Sequence, residues 1–295
     1  MNVSDKNQGQ QIPKRHHYVP QMLLRRFCDV NGNLYFFDKR ICEKGVLKST
    51  PPNLFYQKHL YSLVDENGSK DASLEREMSV LEGRADRVIE KIITAARSWT
   101  KPHLSNDEKN IWDKFLYLQW KRVPDSHRKY ESLINFEESL RAAAAEFERA
   151  VRPLTDDERM KISDPEVQAR IKQNARVKAT ASAGDDVVET LAQKSLLIAM
   201  PENKKKSFVI GSFSFVQLEY AGSNAGERIV QAWLPVASDV AVTMVPKQNA
   251  ETLAKLDDRN VRRLNEAIFA QSMMVAGRSL PLIRSLSVGT NAKVD

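Results

Sequence analysis

From position 74 to 92 the apolar residues Leu74, Met78, Leu81, Ala85, Val88 and Ile92 recur at spacings of three and four. That period predicts an amphipathic helix with one buried stripe. Pro102 closes it, and Ser105 with Glu108 three residues on has the form of a capping box opening the next helix. The second helix carries Ile111, Phe115 and Leu118 inward and stops at Pro124. Nearer the start, Pro20 is placed to open a short helix over 21–27, because the first helical amides need no partner within the helix. Asn31-Gly32 separates Cys28-Asp29-Val30 from the apolar run 34–37, which predicts a hairpin turn. Pro51-Pro52 excludes helix and regular strand around it.

Residues 127–200 are nearly all helix-forming, rich in alanine and charge and poor in large apolar side chains, with Pro153 and Pro165 dividing them. Such a stretch predicts helices that project from the body or move, a surface for a protein partner or a second copy of the chain. After Lys204-Lys205-Lys206 the character changes. Positions 207–216 alternate and are rich in aromatic and β-branched residues, a strand pattern. A loop is expected at 222–226, and 229–234 and 240–245 predict two further strands stopped by Pro235 and Pro246. Leu253, Leu256, Val261, Leu264, Ile268 and Met273 predict one last helix over about 250–276.

The expected fold is α+β, mostly α-helical, with an N-terminal β-hairpin and a short C-terminal antiparallel sheet. One domain spans 14–285 in this reading, with residues 1–13 disordered and 286–295 loose. A lone hairpin is too small to be stable. The N-terminal segment must therefore meet the C-terminal strands.

Charge and cysteine content narrow the classes. The 295 residues carry 45 Lys+Arg against 38 Asp+Glu, a formal +7, which permits a polyanionic partner without requiring one. No long uncharged apolar run predicts a membrane span. Cys28 and Cys42 cannot build a disulfide framework or a CxxC knuckle, and no apolar leader is visible. A reducing cytoplasm is the expected compartment. No Gly-rich phosphate loop, GxSxG elbow or HExxH occurs.

The richest chemistry gathers at His16-His17 and Arg25-Arg26. Histidine titrates near neutrality and serves as acid, base or metal ligand, while two arginines can hold a phosphate or carboxylate. Glu75 and Glu82 lie seven apart, on one helical face, and could act as acid and base. The competing reading makes the histidines backbone partners and the carboxylates salt-bridge partners of the arginines. Gln119, Arg122 and Asn265 are polar residues on otherwise apolar helical faces, suited to binding a ligand or to an internal network. A zinc site from His16, His17, Cys28 and Cys42 is disfavoured, since adjacent histidines rarely share one ion. No metal is assigned and no cofactor is named by the sequence. Lys204-Lys205-Lys206, Arg262-Arg263 and the run Arg170, Lys172, Arg176, Lys178 could contact phosphates, although no nucleic-acid-binding signature accompanies them.

The segment His16-His17-Tyr18-Val19-Pro20-Gln21, followed by Leu24-Arg25-Arg26-Phe27, resembles a bacterial domain-of-unknown-function family. The likeness continues through Asn31-Gly32, Phe55-Tyr56, Leu74-Glu75, Leu81-Glu82 and Gln119…Arg122-Val123-Pro124, then Leu234-Pro235…Asp239 and Arg263-Leu264-Asn265. The resemblance implies no settled activity; it implies an accessory or defence-associated protein. One departure is that relatives tend to carry Ser-Asp-x-Pro where this chain reads Gly211-Ser212-Phe213-Ser214-Phe215. Two functions compete. One is action on, or binding of, nucleic acid or a phosphorylated ligand, with His16, His17, Glu75 and Glu82 as catalytic candidates and Arg25, Arg26, Gln119, Arg122 and Asn265 as ligand-binding ones. The other is a non-catalytic interaction or regulatory module in which the same cluster is structural.

Overall fold

The structure is a computed structural model that describes residues 14–124, 135–182, 184–221, 228–246 and 251–288. The expected N-terminal tail, the 222–226 loop, residues 127–134 and the tail beyond 288 lie outside the described residues. The chain opens with β1 (Arg15–His17), α1 (Gln21–Arg25) and the short strands β2 (Leu34–Asp38), β3 (Leu47–Ser49), β4 (Tyr56–Lys58), β5 (Leu63–Val64) and β6 (Lys70–Asp71). The helices α2 (Ser73–Arg97), α3 (Asn106–Lys121), α4 (Phe136–Ala150), α5 (Asp156–Ser163), α6 (Pro165–Ala181) and α7 (Asp185–Ala192) follow. The C-terminal part holds β7 (Lys194–Pro201), β8 (Ile210–Gly211), β9 (Val216–Ala221), β10 (Arg228–Ala237), β11 (Val240–Pro246) and β12 (Thr252–Leu256). Then come α8 (Asp258–Gln271), β13 (Met274–Gly277) and α9 (Leu280–Ser287). The class is α+β.

Helix α2 forms because its apolar stripe has somewhere to go. Leu74, Met78, Ala85, Val88, Ile89, Ile92, Ile93 and Ala96 are all buried. Each fully buried Ile or Val contributes roughly 1.5–3 kcal/mol. The capping box of Ser105 and Glu108 starts α3 as the sequence predicts, and α3 buries Trp112, Phe115, Leu116 and Leu118. By contrast α4, α5 and α7 have no buried residue.

Two larger sheets have strand orders β12-β7-β11-β10-β9 and β3-β2-β13-β8, beside the two-stranded pairs β1-β4 and β5-β6. The second joins the chain's two halves, as Val275 pairs with Phe37 and Ala276 with Phe36. The N-terminal segment does dock on a C-terminal strand.

Several local expectations are corrected. Asn31-Gly32 makes a tight turn, with Gly32 at φ +74° and the Gly32 amide donating to the Asp29 carbonyl at 3.0 Å. It joins α1 to β2, however, and β2 pairs with β3 and β13 instead of with 28–30. The stretch 194–201, expected to be helical, is the strand β7, hydrogen-bonded on both sides and therefore apolar without alternation. Positions 207–216 are not one strand. Phe208, Val209 and Ile210 are consecutively buried, and β8 and β9 fall in different sheets. At Gly211 a Cβ would collide with Ser272 and Ile268, so only glycine admits α8 here. The last helix over 250–276 is instead β12, α8 and β13, with Asp257 capping α8 through the Asn260 amide at 2.7 Å. β12 runs parallel to β7, so the C-terminal sheet is not wholly antiparallel. Residues 286 and 287, expected in a loose tail, close α9, and both are buried. Among the described residues no helix is long and apolar enough to cross a membrane.

Candidate functional site

Strand geometry separates the two adjacent histidines. Successive side chains of a strand point to opposite faces, so β1 sends His16 into the core while Arg15 and His17 share the other face. His16 is fully buried. Its Nδ1 accepts the Tyr61 amide at 2.9 Å, and its ring stacks on that of Tyr61 at 5.7 Å. A ring nitrogen that accepts a hydrogen bond carries no proton itself. The approach of Glu75 Oε2 to the same nitrogen, 3.9 Å, is therefore no charged pair. His16 is thus held in the core, away from the cleft that His17 lines.

On the other face, Arg15, His17, Gln21, Arg25, Glu75 and Glu82 line a cleft of about 510 Å³ between β1, α1 and α2. Tyr56, across the β1–β4 pair, meets both side chains of this face: the Arg15 guanidinium sits 4.8 Å over its ring and the His17 ring lies 5.7 Å away. Burial holds the His17 pKa below the usual imidazole value, against the pull of a bond to the Pro52 carbonyl. His17 Nε2 is buried and has no hydrogen-bond partner. Glu75 reaches the cleft from the first turn of α2, and burial raises its pKa to about 7; Arg122 pulls it down and Glu82 pushes it up.

Beneath the cleft lies Arg122, a fully buried guanidinium at the end of α3. Its Nη1 donates to Glu82 Oε1 at 2.6 Å, its Nε to the Tyr18 carbonyl at 2.9 Å and its Nη2 to the His17 carbonyl at 2.7 Å. The Arg122 carbonyl in turn accepts the Tyr61 hydroxyl at 2.8 Å. One planar fork thus ties β1, α2 and α3 together, as the geometry of guanidinium allows and ammonium does not.

The predicted residues divide. His17, Glu75, Glu82 and Arg25 meet at the cleft, and Arg122 supports it. Arg26 turns away, paired with Asp86 at 2.7 Å and Glu90 at 3.0 Å. Asn265 is remote: its Oδ1 accepts the Val209 amide and its Nδ2 donates to the Ser207 carbonyl, stitching α8 to that segment. Gln119 is buried in α3, with neither amide atom partnered. Arg15 was missed as a site residue, although period-two alternation from His17 would have placed it there. Among the described residues no three His, Cys, Asp or Glu side chains converge as metal ligands. The Gly211–Phe215 element lines neither this cleft nor the larger one at the other end of α2. It locks β8 to β13, where Ser212 Oγ accepts the Met273 amide at 2.9 Å.

A family model described as Protein of unknown function (DUF4238) matches residues 15–278. The chain belongs to this family. No curated protein and no solved structure matches it. The DUF4238 match contains every residue named at the cleft.

Proposed function

We propose that this DUF4238 protein acts on a phosphorylated substrate, nucleic acid foremost, by acid–base chemistry in the cleft of His17, Glu75 and Glu82. One observation carries the reading: an unpartnered imidazole nitrogen and a carboxyl poised near neutrality line one cleft, under two arginines. Among the described residues, neither Arg15 nor Arg25 has a carboxylate within ion-pair distance; they bond to Asn53 and Gln21. They hold the phosphate. Neutral His17 takes a proton from a water that attacks phosphorus, the bond from phosphorus to the leaving oxygen breaks, and protonated Glu75 gives that oxygen its proton. Glu82, neutralised by Arg122, keeps the cleft floor rigid.

Both groups are in the required form only between the lowered pKa of His17 and about 7. A narrow bell-shaped pH profile of kcat/KM follows, its alkaline limb near 7. His17→Ala and Glu75→Gln, assayed on mixed DNA and RNA and on a phosphomonoester, should each lose about 10²–10⁴-fold in rate with little change in melting temperature. Wild-type rates in both variants overturn the reading. Turnover absent in the wild type, with binding retained, favours the regulatory module, a reading supported by how fully His16, Arg26 and Arg122 are engaged in structural bonds. The free thiols of Cys28 and Cys42 suit the cytoplasm. The accessory or defence-associated role that the family resemblance implies is compatible with a nucleic-acid substrate, and helices α4 and α5, with no buried residue, suit a protein partner or a second copy.

A further inference from the structure

The larger cleft, of about 850 Å³, opens at the C-terminal end of α2. Five separate segments reach it: the end of α2 with the α2–α3 turn, the β7–β8 connection, the β10–β11 turn, β12 and the residues after β13. Parallel pairing of β12 with β7 brings two of them together, since Lys255 pairs with Met200 and the Glu202 amide donates to the Leu256 carbonyl at 2.8 Å. Six cationic side chains line it, namely Arg97, Lys204, Lys205, Lys206, Lys255 and Arg278, against the carboxylates of Glu202 and Asp239. Asp239 is spent on Arg97 in a bidentate pair at 2.8 and 2.9 Å, and Lys206 shares Asp258 at 3.4 Å. Among the described residues, Lys204, Lys205, Lys255 and Arg278 have no carboxylate within ion-pair distance. Cations gathered unpaired around a concavity repel one another and focus a positive potential into it. An anion relieves that repulsion.

The second feature is Trp99 at the mouth. Helix α2 ends in a Schellman motif, with the Trp99 amide donating to the Ala96 carbonyl at 2.9 Å and the Thr100 amide to the Ala95 carbonyl at 2.8 Å. The residue at that position must be left-handed and is ordinarily glycine. Here it is tryptophan at φ +55°. The side chain is not there to fill the core, for 47% of its surface is exposed, and its contact across the cleft is the Lys255 ammonium 5.2 Å from the ring. A large aromatic ring held in solvent at a glycine position, beside unpaired cations, is a stacking platform.

We propose that this cleft binds a nucleotide, its phosphates on Lys204, Lys205 and Arg278 and its base on Trp99. The volume is within the range of small-ligand sites. The inference does not rest on the chemistry assigned to the first cleft. A free nucleotide and one unit of a single strand share these groups, so the test separates them. The full chain is titrated with adenosine 5′-diphosphate, inorganic pyrophosphate and decathymidylate, followed by calorimetry and tryptophan fluorescence. Trp99→Gly should weaken the two base-bearing probes roughly 5- to 150-fold, the worth of one stacked base, and leave pyrophosphate unchanged. Lys204→Ala combined with Lys205→Ala should weaken all three. Equal affinity for diphosphate and decathymidylate identifies a free-nucleotide site; tighter decathymidylate identifies a single strand. Undiminished nucleotide binding by Trp99→Gly, binding of pyrophosphate alone, or no binding by the wild type overturns the proposal.

Discussion

Helix α2 has a charged cleft at each end, and the two are built on opposite principles. Fifteen residues of helix separate Glu82 from Arg97, about 22 Å at 1.5 Å per residue. At the N-terminal end the innermost charges are closed: the buried Arg122 is matched by Glu82 and two carbonyls, and the part-buried Arg26 by the more exposed Asp86 and Glu90. What stays open there is titratable, His17 and Glu75, together with the exposed Arg15 and Arg25, which bond to Asn53 and Gln21. At the C-terminal end the charges are exposed and mostly open; among the described residues the closed pairs at the cleft are Arg97 with Asp239 and, at the rim, Lys206 with Asp258. A buried charge must be paired, whereas an exposed one is tolerated in water and is available to a ligand. The first cleft therefore suits proton transfer, and the second suits capture.

The sharpest way to break the comparison is Arg122→Met. It strands the Glu82 carboxylate and the His17 and Tyr18 carbonyls, and losing one partner of a buried pair costs about 3–5 kcal/mol. The melting temperature should fall on the order of 10 °C, and the first cleft should be lost while the second keeps its ligand. Arg122→Lys should fail almost as badly, because an ammonium cannot reach three fixed acceptors. Wild-type melting in either variant, measured by circular dichroism, would mean that the guanidinium is not the tie described above.

A smaller effect sharpens the contrast through pH. Glu75 titrates near 7 folded and 4.5 as a free side chain. Between those values the folded state keeps a proton that the unfolded state has released, so stability falls as pH rises through that window, by at most about 3 kcal/mol. His17 acts oppositely: its folded pKa lies below 6.5, so its share of stability is present above 6.5 and is lost as pH falls through the lowered value. Glu75→Gln removes the first term alone. Relative to wild type it should melt higher at pH 8 than at pH 5. Equal differences at the two pH values would mean that Glu75 is not buried as a proton-holding group.

How much of this was legible in the sequence follows from locality. The α2 stripe, the Ser105–Glu108 box and the seven-residue spacing of Glu75 and Glu82 are local patterns, and each is found in place. Pairing partners are not local. Nothing near Asn31-Gly32 says that β2 pairs with residues 274–277, and nothing in Leu196–Met200 distinguishes a buried strand from a buried helix. The 250–276 pattern fits a helix because strand and helix runs happen to continue one apolar period. Asp257, a strong N-cap residue, marked the break. At the first cleft the residue types were legible, and the division of His16 from His17 followed once β1 was a strand. The second cleft was not legible, since its tryptophan and cations come from four distant segments.

The smallest expected effect bears on the second cleft alone. Placing a side chain in the left-handed region costs roughly 1–2 kcal/mol that glycine does not incur, and Trp99 occupies that region at a helix end. Its contact with Lys255 offsets about 0.5–1 kcal/mol, as for exposed cation–π pairs. Trp99→Gly should therefore stabilise the chain by roughly 0.5–1 kcal/mol, a rise of a few degrees in melting temperature, while removing the platform. Trp99→Ala keeps the Cβ and loses the ring, so it should show no such gain. A more stable glycine variant that binds nucleotide less well is what a strained functional residue predicts. A glycine variant that melts below wild type would make the ring a packing element, and the contrast between the two ends of α2 would then rest on the cations alone.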